Sequence, residues 1–305
     1  MKLKATSWII KLWVYNCRHF TTKVEPVNVA YRTFEATQQV STPPPPVIIL
    51  HGLCGTKDNW RYLATKLVKR TIPQRKIITT DIRNHGESPH VMEHTYLHLV
   101  EDVKHLMKHL HIKKVALMGH SMGGRAAMYF ALLNPPLVEK LIVVDVSPVN
   151  HPQFHEFDLI GNLLKAMRKV TFPSSDLNKV DVRRSIDRQL AEKGVRGKHL
   201  RAFLMTNIIK KPDGTYGWRI NLAALVPNFF EHVRKFPNVD GKLFDKPALF
   251  IAGGNSDFLP KSDHETVRTR FPKAQFVEVA GAGHWVHSEK PKEMVLTCAA
   301  FLNSK

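Results

Sequence analysis

A serine flanked by glycines two residues away on each side, in Gly119-His120-Ser121-Met122-Gly123, is the residue of this 305-residue chain whose setting points most directly to chemistry. A free serine hydroxyl is a weak nucleophile. To attack an acyl carbonyl it needs a base, a group that orients the base, and donors for the developing oxyanion. Residues 114–118 read as a buried strand, 119–124 as a tight turn of small residues, and 125–130 as the start of a helix. Glycines at 119 and 123 remove side chains that would collide in a strained strand-to-helix turn, which lifts the hydroxyl above the sheet.

The partners can be sought by position. His284, in Gly281-Ala282-Gly283-His284-Trp285, follows the last apolar run and precedes a final helix, which suits the base. His287 competes for that role, but glycine-flanked His284 is better placed for a sharp loop, leaving His287 behind it or at the surface. The backbone amide of Met122, directly after the serine, and that of Leu53, in His51-Gly52-Leu53-Cys54-Gly55, are the expected oxyanion donors. His51 reads as a brace for that loop and Cys54 as a small apolar filler. Two acids, Asp145 and Asp257, each follow an apolar strand-like run and precede His284. The residues alone divide them evenly, because orienting an imidazole depends on geometry and not on sequence order.

These groups need a scaffold. From residue 47 the chain alternates short apolar runs with amphipathic segments, the pattern of parallel strands buried on both faces. Strands are expected at 47–50, 76–80, 114–118, 140–144, 248–252 and 275–279, with helices at 95–110, 122–133, 262–271 and 290–302. Val27, Val29 and Tyr31 alternate as an opening strand would, and the tract Pro43-Pro44-Pro45-Pro46 then breaks regular structure. The alternation predicts a doubly wound, mostly parallel sheet whose functional loops leave the carboxyl ends of its strands. About a hundred residues between 145 and 246 lack that rhythm and carry helical segments such as 180–193 and 199–209. A structureless loop of such length would be unusual, so 150–245 is expected to form a helical cap inserted into a core of 25–149 and 246–305.

Composition bounds the rest. With 45 Lys and Arg against 26 Asp and Glu, the formal charge is +19, which favours anionic surfaces such as phospholipid headgroups. The basic residues are scattered and no finger, homeodomain or RNA-recognition signature occurs, so nucleic acid is not an expected partner. Cys17, Cys54 and Cys298 are too few and too widely spaced for a disulfide framework or a metal set. His94 and His98 lack the glutamate of a zinc-protease helix, and no glycine-rich phosphate cradle is present, so neither metal nor nucleotide cofactor is implied. Residues 1–24 contain no acid and set Trp8, Ile9, Ile10, Leu12, Trp13 and Val14 around Lys11, then Arg18 and two threonines. This leader reads as a mitochondrial transit peptide. An interfacial membrane helix is the alternative, while a secretory signal lacks its small-residue cleavage site and a transmembrane span would need about 20 apolar residues.

Together, His51-Gly52-Leu53-Cys54-Gly55, Asp81-Ile82-Arg83-Asn84-His85-Gly86-Glu87-Ser88-Pro89, Gly119-His120-Ser121-Met122-Gly123-Gly124, Asp145-Val146-Ser147-Pro148, Gly253-Gly254-Asn255-Ser256 and Gly283-His284-Trp285 carry a resemblance. The chain resembles the family of alpha/beta-hydrolase domain-containing protein 11 and its bacterial esterase relatives, over nearly everything after the leader. The resemblance implies an α/β-hydrolase fold with an inserted cap, and a cofactor-independent serine esterase or lipase acting on lipid esters, with sn-1 diacylglycerol cleavage in mitochondria. It also implies Asp145 as the acid, with Ser256 at the more usual acid position. Arg83, Asn84 and His85, tempting by type, read from the residues themselves as shaping the loop beside the site. Some family descriptions put the acid in a cap segment like 221–225, where this chain has Ala223. An acyl thioesterase is the nearest alternative. A different reading, also implied by the resemblance, is a mitochondrial partner that stabilises the 2-oxoglutarate dehydrogenase complex, with catalysis secondary.

Overall fold

The computed structural model describes residues 24–151, 155–174 and 176–304, so the expected leader lies outside the described residues but for its last position. Nine strands are seen among them: β1 (Tyr31–Phe34), β2 (Val47–Leu50), β3 (Ile77–Thr80), β4 (Val115–His120), β5 (Val138–Val144), β6 (Ile208–Lys210), β7 (Tyr216–Trp218), β8 (Ala248–Gly253) and β9 (Ala274–Val279). Seven form one sheet in the order β1-β3-β2-β4-β5-β8-β9. Only β1 runs antiparallel to its neighbour, at the edge.

Continuous apolar runs such as Val47-Ile48-Ile49-Leu50 are buried throughout because successive side chains enter different cores. Ile48 and Leu50 join one cluster, Val47 and Ile49 the other. The α-helices are α1 (Arg61–Arg70), α2 (Tyr96–His109), α3 (Met122–Leu133), α4 (His155–Arg168), α5 (Lys179–Glu192), α6 (Lys198–Leu204), α7 (Leu222–Asn228), α8 (His264–Arg268), α9 (Val286–Glu289) and α10 (Pro291–Asn303). Helices α2 and α3 cover the first face, and α1 and α10 the second. Thr95 caps α2 by accepting from the His98 amide, and Pro291 opens α10 with a φ suited to a first turn. Between β5 and β8 lie α4 to α7 and the antiparallel β6–β7 hairpin; Leu164, Val182, Ile186, Leu190 and Leu225 make their interior continuous with the first core.

Register decides where the loops emerge. Leu50 lies opposite Gly119 and Gly119 opposite Val143, while His120 is paired with Val144 and Val144 with Ile251. The loops following β2, β4, β5 and β8 therefore leave one edge of the sheet together, as doubly wound sheets require.

Three expected elements differ. The opening strand begins at Tyr31, not Val27, because pairing of Tyr31 with Thr80 sets its register, while Val27 turns aside to donate its N–H to Asp102. The helix expected over 199–209 stops at Leu204; a turn over Met205–Asn207 follows, and the branched pair Ile208-Ile209 enters β6. The helix expected over 262–271 shortens to α8, preceded by a 3-10 turn at Lys261–Asp263.

Several histidines are buried close behind the functional edge. His51, His85 and His94 are at most 1 % exposed, and burial lowers the basicity of each; His94 falls to about 3 from the ordinary value of 6.5. A histidine neutral in the fold but basic when unfolded binds a proton only in the unfolded chain between those two values. Its contribution is complete above pH 6.5 and is lost as pH falls toward 3, at about 1.4 kcal/mol per pH unit. Urea midpoints should decline from pH 7 to pH 4, and His94→Gln, which cannot take up that proton, should make the decline shallower. An unchanged slope in that variant would contradict the assignment.

Candidate active site

Strand β4 runs into α3 through Ser121, whose backbone sits at φ 53° and ψ −121°. A residue with a Cβ pays for such a conformation, and it persists only where its surroundings enforce it. The Ser121 amide donates to Val144 O at 3.0 Å, and Ser121 O accepts from the Arg125 amide at 3.0 Å. A Cβ at Gly119 would strike the Gly123 backbone, and one at Gly123 would strike the carbonyls of Leu50 and His51. Glycine is needed at both positions so that helix and strand can close on the turn.

His284 leaves the loop after β9. Its Nδ1 lies 2.7 Å from Asp145 Oδ2, so among the described residues the carboxylate hydrogen-bonded to this imidazole is that of Asp145. Asp145 is fully buried at the end of β5, with a positive φ of 50°. Its Oδ1 accepts from the Gly253 amide at 2.8 Å, and its Oδ2 also accepts from Ser256 Oγ at 2.5 Å. Three donors thus meet one buried carboxylate and fix its orientation. Asp257 lies on the exposed side of the same turn after β8.

The loop after β2 is clamped from below. His51 Nδ1–H donates to Gly52 O at 2.7 Å, and its Nε2 accepts from the Ile82 amide at 2.9 Å, which sets its tautomer and makes it a brace. The Cys54 amide donates to His85 Nε2 at 3.2 Å, while Asn207 from the inserted segment donates to Cys54 O at 2.8 Å. Burial pushes the Cys54 thiol up to about 12, so it stays protonated and is no rival nucleophile. Leu53 thus belongs to a loop held on both sides, and it lines the same cavity as Ser121.

The neighbouring Asp-Ile-Arg-Asn-His-Gly segment is a second clamp. Lys57 Nζ lies 2.7 Å from Asp81 and 2.8 Å from Glu87, and Arg83 makes a buried ion pair with Asp102. Asn84 Oδ1 accepts from Asn221 of the inserted segment at 3.0 Å, so this loop ties insertion and core together. Ala223, on α7, brings no carboxylate to this region.

Ser121, His284, Leu53 and Cys54 line one cavity of about 190 Å³. Apart from His120, its remaining wall is apolar and largely supplied by the inserted segment, including Ile160, Leu163, Leu164, Leu200 and Phe203. Leu159 stands at the same wall and remains 63 % exposed. Phe258 and Trp285 face this cavity, whereas Leu259, next in sequence to Phe258, is only 3 % exposed and packs into the core.

Other contacts were not anticipated from sequence. His120 Nε2–H donates to the main-chain carbonyl of His284 at 2.9 Å, and burial keeps His120 well below ordinary histidine basicity, hence neutral. His287, half-buried, stacks on Trp60 with centroids 4.2 Å apart. Glu289 accepts from the amides of Gly283 and Trp285, holding the loop that carries His284. A carboxylate four residues beyond Trp285 was the available signal. No group of three or more His, Cys, Asp or Glu side chains able to hold a metal occurs among the described residues.

A family model described as "alpha/beta hydrolase fold" matches residues 45–291. The chain is 39% identical to the sn-1-specific diacylglycerol lipase ABHD11 of Danio rerio over 284 residues, covering 91% of this chain and 83% of that protein. It is 33% identical to Esterase YbfF of Escherichia coli, covering 85% and 93% of the two chains. Among solved structures, a marine microorganism esterase superposes with a TM-score of 0.78 at 31% identity, covering 90% of this chain and 99% of that one. The chain belongs to the alpha/beta hydrolase family, in its esterase and lipase branch, and is a carboxylic ester hydrolase.

Proposed function

We propose that Ser121, His284 and Asp145 form the catalytic triad, with the Leu53 and Met122 amides as the oxyanion hole. The observation that carries this reading is the 2.7 Å contact between His284 and the buried Asp145 carboxylate, beside a cavity that both Ser121 and His284 line. His284 takes the Ser121 proton as the hydroxyl attacks the ester carbonyl, and the two amides receive the negative charge that develops on oxygen. His284 then gives its proton to the leaving alcohol. In deacylation it takes a proton from water, which releases the acid and restores the serine. Asp145 holds the ring in the Nδ1–H tautomer and offsets the imidazolium charge; Ser256 and the Gly253 amide keep that carboxylate in place.

The substrate fits the walls. No lysine, arginine, aspartate or glutamate lines the cavity, which supports an uncharged acyl chain lodged against the inserted segment. Together with the lipase name of its vertebrate relatives, this supports a lipid ester of the diacylglycerol type, cut at the sn-1 acyl group. The inserted segment, 150–245, acts as the lid over this chamber. The acid-free leader supports import into mitochondria, where lipid esters are available.

Turnover of a short p-nitrophenyl ester tests the triad. Ser121→Ala should lose activity by about 10⁴-fold or more and Asp145→Asn by about 10³- to 10⁴-fold. Asp257→Asn, at an exposed site, should stay within about twofold of the parent. Full activity in Asp145→Asn, or a collapse confined to Asp257→Asn, would move the acid to the turn after β8. The address is tested by N-terminal sequencing of protein recovered from mitochondria: a new N-terminus near residue 24 is expected, and an intact Met1 would count against import cleavage.

A further inference from the structure

The His284 imidazole is met face-on by a phenyl ring to which the triad assigns no task. Phe258 leaves the turn after β8 with its ring centroid 3.9 Å from that of His284 and an interplanar angle of 27°, a stacked pair. Its backbone is anchored on both sides. The Ser147 amide donates to Phe258 O at 2.8 Å, and the Phe258 amide reaches Ser256 Oγ at 3.4 Å. Ser147 and Ser256 belong to the two loops that frame Asp145, so the ring and the acid are positioned by the same pair of loops.

The contact discriminates between the two charge states of His284. An aromatic face carries negative quadrupolar charge, so it attracts an imidazolium by a cation–π interaction that a neutral imidazole lacks. An interaction that strengthens as the proton arrives lowers the barrier instead of merely tightening the resting state. Parallel stacking also restricts rotation of the His284 ring, which must present Nδ1 to Asp145 while its other nitrogen faces the serine.

The charged and titratable groups around His284 leave this role to Phe258. Asp145 comes from the end of β5. His120, from β4, lies at a centroid distance of 4.7 Å, tilted by 44°, and is neutral through burial. His287, from α9, is held down to about 3 by burial and by His284 itself. Glu289 addresses the loop backbone and not the ring. Cys54, across the cavity, stays protonated. Trp285, the other aromatic neighbour, meets His284 edge-on at 5.4 Å and 73°.

We propose that Phe258 is a positioning residue for ester cleavage: its ring face aligns the His284 imidazole with Asp145 and stabilises the imidazolium formed when Ser121 gives up its proton. This rests on the Ser121–His284–Asp145 reading. Phe258→Leu keeps an apolar wall in the cavity but removes the π face, and Phe258→Tyr keeps the face.

The experiment is the pH dependence of kcat and KM on a short p-nitrophenyl ester between pH 5 and 9. Phe258→Leu should lower kcat by about fivefold with KM nearly unchanged. Because the ring favours the protonated imidazole, its removal should also move the acid limb of kcat/KM by roughly half a unit to lower pH. Phe258→Tyr should restore most of both. An unmoved limb with a rise only in KM would reduce Phe258 to a cavity wall, and equal loss in the leucine and tyrosine variants would overturn the proposal. If Phe258→Leu does not fold, Phe258→Met supplies the ringless side chain. Failure of the triad reading is a separate result: Ser121→Ala would keep its turnover, or His284→Ala would keep the acid limb, whatever residue 258 did.

Discussion

The backbone at Ser121 is the constraint from which the rest of the site follows. Its φ of 53° and ψ of −121° cost on the order of 1–3 kcal/mol, and the strain is held only because β4 and α3 are both locked into the core. A second strained residue sits beside it. His120 and Val144 are paired across β4 and β5, and the residues that follow them, Ser121 and Asp145, both take positive φ. The Ser121 amide still reaches Val144 O and the Asp145 amide Ile251 O, so the sheet's hydrogen bonding extends one residue into each loop before the chain turns. The sheet therefore delivers the proposed nucleophile and its acid as adjacent, rigid features.

This placement explains why the acid on β5 can reach a histidine that comes from beyond β9. The turn after β8, where an acid could also stand, supplies Ser256 and the Gly253 amide to Asp145 instead. The carboxylate is thus set by three elements at once: β5 through its backbone, the β8 turn through two donors, and the β9 loop through His284. Around this centre the chain spends its polar side chains on fastening loops. His51, His85 and Asn207 fasten the loop after β2, and Asn84 and Asn221 join the insertion to the core. Apolar residues are left to shape the chamber.

Much of the fold is legible in sequence because its signals are steric and local. Four buried branched or leucine residues at 47–50 can hardly be other than a central strand, and the glycines at 119 and 123 announce a turn that no larger residue could make. The doubly wound alternation follows from the same apolar runs. What depends on contacts distant in sequence is less legible. Asp145 and Asp257 stand in similar local settings, and only the strand register and the β8 turn separate a buried carboxylate from an exposed one. Periodicity carries the helix at 199 past its end because Asn207 is recruited to Cys54, 153 residues away. Phe258 and Leu259 look equally suited to a cavity wall; in the bend after β8 one stacks on His284 and the other is buried in the core.

The central claim is that the strained turn presents Ser121 as the nucleophile. Its most direct measurement is peptide mass mapping after reaction of the folded protein with a fluorophosphonate, which phosphonylates only an activated serine. The account predicts one adduct per chain on the peptide containing Ser121, slowed severely in His284→Ala. An adduct on another serine, or none on a folded protein, would contradict it.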